Sequence, residues 1–151
     1  ISVAQTNLSK FSNGKLIDTR ARKFLKKINL DYEHGTGHGV GFFSNVHEGP
    51  QSLSKYNKIK ICEGMILSNE PGYYKKGKFG IRIENLVYVK KFNKKLLFEN
   101  LTLAPIDTDL INPELLTNNE KDYLSKYNSL IYSKLSKFLN TNERKWLSSF
   151  I

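Results

Sequence analysis

Apolar residues recur at helical spacing in two stretches of the chain. Over residues 15–29 they lie three or four positions apart while lysines fill the opposite side, which predicts an amphipathic helix. A longer stripe over residues 117–138 predicts a second helix, and a short third helix follows it. Both later helices begin with the cap-and-glutamate spacing of a capping box, Thr117 with Glu120 and Asn140 with Glu143. The positions predicted to face the core are Ile17, Ala21, Phe24, Leu25, Ile28, Tyr123, Leu124, Tyr127, Leu130, Ile131, Leu135, Phe138, Trp146, Leu147 and Phe150.

Between these helices the pattern changes to strands and turns. Residues 35–43 alternate glycine with larger side chains, which predicts a strand with His38 and Val40 on one face. Residues 79–90 alternate most regularly and predict the longest strand. Shorter extended runs are predicted at residues 58–61, 65–68, 73–74, 96–98 and 101–103, and residues 1–9 predict the end of a helix. A helix, a curved antiparallel sheet and further helices define the α+β class.

Length and composition fit one domain with a real core. The chain has 151 residues, 39% of them hydrophobic, and no apolar run of about 18 residues that would predict a membrane span. Cys62 is the single cysteine, so we expect a packed thiol in a reducing compartment. The first residues lack the layout of a signal peptide and an initiator methionine, so we expect a cytoplasmic protein and a chain that is part of a longer one.

The net charge of +10 raises the question of a nucleic-acid partner. The basic residues are mostly lysines scattered through every segment, and their tightest runs fall at predicted turns, which favours a solvated surface. The segment Tyr73-Tyr74-Lys75-Lys76 is a weak candidate for aromatic residues interleaved with basic ones. We therefore expect neither a nucleic-acid nor a membrane partner.

Candidate chemistry concentrates in three blocks, HGTGHGVGFFSNVHEGP from His34, SNEPGYY from Ser68 and GIRIEN from Gly80. His38 lies between glycines that leave room for an ion, Glu70 precedes Pro71 at a strand end, and Glu84 lies among isoleucines. Imidazole and carboxylate are ligands for zinc, manganese, iron and cobalt. Structural interpretations stay open: His38 as a core histidine, and Glu84 as the ion-pair partner of Arg82, because paired buried charges are common.

These blocks resemble the C-terminal half of the catalytic domain of the Xaa-Pro aminopeptidases (aminopeptidase P), members of the pita-bread metallopeptidases of family M24. The resemblance covers nearly the whole chain, including the tail LTLAPIDTDLI, and implies a pita-bread fold of which this chain is the C-terminal half. Residues 104–151 are then a helical extension. The family implies two divalent ions, manganese or zinc, that activate a water to cleave the bond before proline in peptides with proline at position two.

The resemblance also implies roles for individual residues. His38, Glu70 and Glu84 match metal ligands, and Glu70 also matches the acid/base for the water. His47 matches a histidine that contacts the scissile region and passes protons. The proline-side pocket is expected to include His34, Tyr74 and Arg82, with His47 as a further substrate contact.

One departure limits the expected activity. The family has two further aspartate ligands on an upstream hairpin, and Asp18 and Asp31 lie in the wrong local context to replace them. With three ligands we expect at most one ion and little or no peptidase activity from this chain alone. A complementary N-terminal half would supply the rest, and a homodimer is a further expectation. The competing hypothesis is a non-catalytic pita-bread module that binds peptides or proteins, although such a binder has little reason to keep all these residues.

Overall fold

The structure is a computed structural model that describes residues 1–8, 12–43 and 45–151. It divides into two compact units, Ser2–Thr102, and Leu103–Ile151 with Ile1. The first unit contains β1 (Asn7–Leu8), α1 (Gly14–Lys26), β2 (Gly37–His38), β3 (Ser52–Leu53), β4 (Ile66–Asn69), β5 (Gly72–Lys75), β6 (Phe79–Arg82), β7 (Asn85–Phe92) and β8 (Lys95–Asn100).

An antiparallel sheet of four strands, in the order β1-β8-β7-β4, forms the centre of the first unit. Two smaller antiparallel pairs, β2 with β3 and β5 with β6, flank it. Alternate residues of β7 are buried, because one face of this strand packs against α1 and the neighbouring loops. The core consists of Val3, Leu8, Ile17, Leu53, Ile61, Leu67, Val87, Val89 and Phe98.

Helix α1 confirms the first predicted helix, and Ile17 and Ala21 pack in the core as predicted, but other predicted core positions are exposed. The Asn13 side chain accepts a hydrogen bond from the Leu16 backbone N–H and caps the helix start. Phe24 and Ile28, predicted as core, are 57% and 64% exposed. Charged side chains, Asp18 and Arg22, are buried instead, because they bind each other and the following loop.

Several predictions of local structure in the first unit are wrong in detail. The predicted strand over residues 79–90 is broken at residues 83–84, because β6 pairs with β5 whereas β7 pairs with β4 and β8. Phe42 and Phe43 leave the strand for an exposed turn. Residues 2–5 form turns before β1 instead of a helix, and residues 101–103 lie outside the strands. The thiol of Cys62 is exposed, not packed.

The second unit is helical. It contains a short 3-10 turn (Pro113–Leu115), α2 (Asn118–Leu135), a second 3-10 turn (Ser136–Phe138) and α3 (Thr141–Ser148). Both predicted capping boxes are present. Tyr127, Ile131 and Leu147 form the buried cluster, whereas Phe138 and Trp146 are exposed, contrary to the prediction. Among the described residues, no helix has an apolar stretch of the length needed to cross a bilayer.

Candidate metal centre

Strand pairing in the first unit brings three predicted ligands together. Asn69 pairs with Asn85 at the ends of β4 and β7, so Glu70, one residue later, and Glu84, one residue earlier, lie at adjoining strand ends. His38 ends β2, which approaches β4 through a bridge between Gly39 and Leu67. Three residues that lie between 14 and 46 positions apart in the sequence therefore face one point.

The spacing and chemistry of these groups fit a divalent ion. One ligand atom from each of His38, Glu70 and Glu84 lies within 4.8 Å of the others. Two ligands that each bind one ion at about 2.0–2.2 Å are at most ~4.4 Å apart, so small side-chain adjustments suffice. The donor set, one imidazole and two carboxylates, suits zinc or manganese.

Glu70 is the buried carboxylate of the centre. Its side chain is 11% exposed, and Oε1 accepts a hydrogen bond of 2.7 Å from the Ser68 hydroxyl. His38 Nε2 lies 3.3 Å from Oε1, and an Arg82 guanidinium nitrogen lies 3.4 Å from Oε2. A hydrogen bond from Ser68 and the cationic Arg82 are what this carboxylate needs in order to stay buried. The ion pair of Arg82 is therefore with Glu70, not with Glu84 as one interpretation of the sequence suggested.

The exposure of Glu84 differs from the prediction. We expected a carboxylate that would be costly to bury on a continuous strand, but Glu84 is exposed in the break between β6 and β7. Its carboxylate still reaches the same point as His38 and Glu70. Glu84 lies between β6 and β7 and pairs with no described residue of a neighbouring strand. Its side chain is therefore not held to one face of a sheet and turns toward these residues.

Hydrogen bonds define the tautomer of His38. Its Nδ1 lies 2.9 Å from the Gly39 carbonyl oxygen, which can only accept, so the proton is on Nδ1. The lone pair is then on Nε2, which faces Glu70. Backbone bonds between a ligating imidazole and a carbonyl are typical of metal-binding histidines. The ring of His47 lies 4.1 Å from that of His38, centroid to centroid.

A second group of predicted residues forms a hydrogen-bonded chain beside the centre. His34 Nδ1 lies 2.7 Å from the Gly35 carbonyl oxygen, so Nε2 accepts from the Tyr74 hydroxyl at 2.7 Å. Arg82 Nε donates to the Tyr74 oxygen at 2.9 Å. This hydrogen bond, together with nearby negative charge, raises the pKa of Arg82 above its ordinary value.

Most of the predicted site residues border one open cleft of about 280 Å³. Its walls are formed by His34, Gly35, Gly37, His38, His47, Glu70 and Arg82. Gly37 allows the close approach of β2 to β4, because a Cβ at this position would lie 1.9 Å from the Ser68 carbonyl oxygen. Two further predicted residues lie beside this cleft: Tyr74 is hydrogen-bonded to His34 and Arg82, and the Glu84 carboxylate lies within 4.8 Å of ligand atoms of His38 and Glu70.

Ser68 was missed by the sequence reasoning. It is fully buried, two positions before Glu70 on the same strand end, and its hydroxyl bonds both Glu70 and the His38 backbone N–H. The period of a strand places residues two apart on one face, and that signal could have identified Ser68 as a neighbour of the carboxylate.

The structure thus combines a mixed helix-and-sheet fold with a histidine and two glutamates at converging strand ends, a donor set that suits a divalent ion. The chain belongs to metallopeptidase family M24: residues 7–91 match this family, and residues 94–149 match the C-terminal region of peptidase M24. The predicted pita-bread fold is confirmed by solved structures of the same family.

Curated and solved relatives agree with this family. An uncharacterised peptidase of Schizosaccharomyces pombe is 43% identical over 98% of this chain and 27% of its own length. A probable Xaa-Pro aminopeptidase P of Coprinopsis cinerea is 47% identical over 90% of this chain and 24% of its own length. The Caenorhabditis elegans X-prolyl aminopeptidase structure, described as a cytosolic enzyme with a di-nuclear active site, superimposes with a TM-score of 0.89 at 36% identity over 98% of this chain and 26% of that one. This chain spans about a quarter of the curated relatives that it matches.

Proposed function

We propose that this chain contributes the metal and substrate residues of a metal-dependent aminopeptidase that releases the N-terminal residue of peptides with proline at position two. The observation that carries the proposal is the convergence of His38, Glu70 and Glu84 beside the hydrogen-bonded chain of His34, Tyr74 and Arg82. Relatives named Xaa-Pro aminopeptidase support it.

In this proposal His38, Glu70 and Glu84 hold the ion, manganese or zinc. A divalent ion in such a site supplies Lewis acidity toward water and toward a peptide carbonyl. The histidine offers Nε2, and the glutamates offer carboxylate oxygens whose charge the ion neutralises. The Ser68 hydroxyl keeps Glu70 Oε1 directed at His38, so the two side chains keep their relative positions when no ion is bound.

Proton transfer is assigned to Glu70 and His47. Glu70 is buried with one oxygen near His38 and the other near Arg82. From this position it would take a proton from the attacking water and give it to the departing proline nitrogen. His47 lines the same cleft beside His38 and passes protons at the scissile region. His34, Tyr74, Arg82 and His47 form the substrate wall, which orients the peptide on the proline side of the cleaved bond.

Three ligands limit what these 151 residues do by themselves. Asp18 and Asp31 bind Arg22 at a separate place, so they do not extend the ligand set. We therefore propose that this chain alone holds at most one ion and turns over slowly, and that a complementary N-terminal segment supplies the second pair of carboxylates. A cytoplasmic location and a homodimer belong to the same proposal, and the solved cytosolic relative supports the first.

The test compares two peptides that differ at one position. The complete encoded protein is stripped with a chelator, reloaded with Mn²⁺ or Zn²⁺, and given Arg-Pro-Pro or the matched Arg-Ala-Pro. We expect release of arginine from the first peptide only, and loss of that activity in Glu70→Gln and His38→Ala. Equal cleavage of both peptides, or none at all by the metal-loaded protein, overturns the proposal. Tight binding of Arg-Pro-Pro without cleavage supports the non-catalytic binding module instead.

A further inference from the structure

The guanidinium of Arg22 is a buried junction outside the metal centre. Arg22 is 7% exposed, and Nε donates to both oxygens of Asp18, at 3.0 and 2.9 Å. One terminal nitrogen donates to Asp31 at 2.7 Å and to the Tyr32 carbonyl at 2.6 Å. The other donates to the His34 carbonyl at 2.6 Å. The Arg22 side chain therefore binds three residues, Asp31, Tyr32 and His34, of the segment that leads to the cleft.

Asp18 extends this junction to the other end of the segment. Its Oδ1 accepts a hydrogen bond of 2.7 Å from the Thr36 hydroxyl, which also bonds the Tyr32 phenol. The Thr36 carbonyl in turn accepts the Glu70 backbone N–H at 2.8 Å. Residues 31–36 are thus fixed to α1 at both ends, with His34 between the two anchors.

This arrangement needs arginine specifically. A planar guanidinium offers five donors in a rigid fork, whereas a lysine ammonium is a single point on a flexible stem. Burial opposes the charge of Arg22, but its hydrogen bonds to Asp18 and Asp31 raise its pKa above the ordinary value. A buried ion pair often stabilises a fold no better than apolar residues of the same volume, so a role in orientation explains why charges lie here.

We propose that Arg22 is a positioning residue, which fixes the backbone of residues 32–34 so that the His34 imidazole meets Tyr74 in the cleft. The proposal rests on the proposed function for its kinetic consequence, because His34 belongs to the substrate wall. The His38 backbone is held separately, by the Ser68 hydroxyl on another strand. Loss of the Arg22 hydrogen bonds therefore displaces His34 without displacing the proposed metal ligand His38.

The variant Arg22→Lys keeps the charge and removes the fork. The matched control is Arg20→Lys, on the same helix, where an exposed arginine donates one bond to the Ser2 carbonyl. In the complete encoded protein loaded with Mn²⁺, we expect KM for Arg-Pro-Pro to rise about tenfold, the size of one lost hydrogen bond, with kcat nearly unchanged. Arg20→Lys should match wild type. In a His34→Ala background, Arg22→Lys should add no further loss; losses that multiply overturn the proposal.

A second readout does not depend on catalysis. Two-dimensional NMR of the histidine rings should show the His34 signals displaced in Arg22→Lys while those of His38 and His47 hold. Unchanged His34 signals overturn the positioning role of Arg22 whether or not the protein is a peptidase. A wild-type protein without peptidase activity counts against the proposed function and not against that positioning role. If Arg22→Lys does not fold, Asp31→Asn removes one anchor and should displace the His34 signals in the same direction by less. No displacement in that variant overturns the proposal as well.

Discussion

The hydroxyl of Ser68 donates a hydrogen bond of 2.7 Å to Glu70 Oε1. The Ser68 hydroxyl oxygen also accepts a hydrogen bond of 2.8 Å from the His38 backbone N–H. One buried side chain therefore sets the separation of two proposed metal ligands that come from different strands. Partners of this kind orient ligands and keep them from relaxing toward other hydrogen bonds when no ion is bound.

Removal of that hydroxyl tests its role. We expect Ser68→Ala to weaken Mn²⁺ binding about 10–100-fold, because Glu70 loses its orienting donor and the His38 N–H loses its acceptor. Titration of metal-stripped protein measures the change. The control is Ser133→Ala, an exposed hydroxyl that bonds only the carbonyl of Leu130 in its own helix. Equal affinity in the two variants would contradict the assignment.

The phenol of Tyr74 connects His34 to Arg82 within the proposed substrate wall, and its removal should affect binding of substrate more than binding of metal. Tyr74→Phe takes away the donor to His34 Nε2 and the acceptor for Arg82 Nε. A hydrogen bond to a charged group contributes about 1.5–3 kcal/mol, so kcat/KM for Arg-Pro-Pro should fall at least tenfold. Steady-state kinetics beside Tyr73→Phe, whose ring packs against Phe79, give the comparison. Unaltered kinetics in Tyr74→Phe would show that the Tyr74 hydroxyl does not contribute to substrate binding.

The close contact of β2 with β4 depends on the missing side chain of Gly37. Gly37→Ala places a methyl group where the Ser68 carbonyl oxygen lies, so β2 must shift and carry His38 away from Glu70. We expect loss of metal binding together with a lower melting temperature. Gly35→Ala is the control, since its Cβ meets nothing nearer than 3.4 Å. Metal affinity that survives Gly37→Ala shows that His38 is not a ligand.

Stability should depend on pH through Asp31. Desolvation acts to raise its pKa, but hydrogen bonds from Arg22 and from the Tyr32 N–H outweigh this and lower the pKa. A lowered folded-state pKa means that the stabilisation is complete above the ordinary value of about 3.9 and is lost as pH falls through the lowered one. Asp31→Asn should therefore be less stable than wild type in urea at pH 7, and the difference should shrink as the pH falls below about 3.9. A constant difference across that range would exclude the charge of Asp31 as the cause.

Sequence reasoning could predict a candidate site because its signals are local. Histidine and glutamate blocks in a recognisable order gave the candidate ligands, and capping spacing at Thr117 and Asn140 identified two helix starts that the structure confirms. Such signals depend on neighbours within a few residues, so they survive without knowledge of tertiary structure. Spacing along a chain does not fix distances through space. The expectation that the three blocks lie close together therefore rested on the family resemblance.

Two errors have a tertiary cause. Residues 79–90 alternate as one strand does, yet β6 and β7 belong to different sheets, and alternation cannot show where a chain changes partners. On α1, helical periodicity assigned Phe24 to the core and did not identify Arg22 as a buried residue. The carbonyls of Tyr32 and His34, which make burial of Arg22 tolerable, come from beyond the helix and leave no trace in its pattern.

The central claim is that His38, Glu70 and Glu84 hold one metal ion together. Its most direct test is Mn²⁺ titration of the metal-stripped complete protein, with free ion measured by electron paramagnetic resonance. Glu84→Gln is compared with Glu63→Gln, an exposed carboxylate of the same unit. We expect Glu63→Gln to bind like wild type and Glu84→Gln to bind more than about 100-fold more weakly, beyond what a change outside the ligand set causes. Wild-type affinity in Glu84→Gln would contradict the shared site.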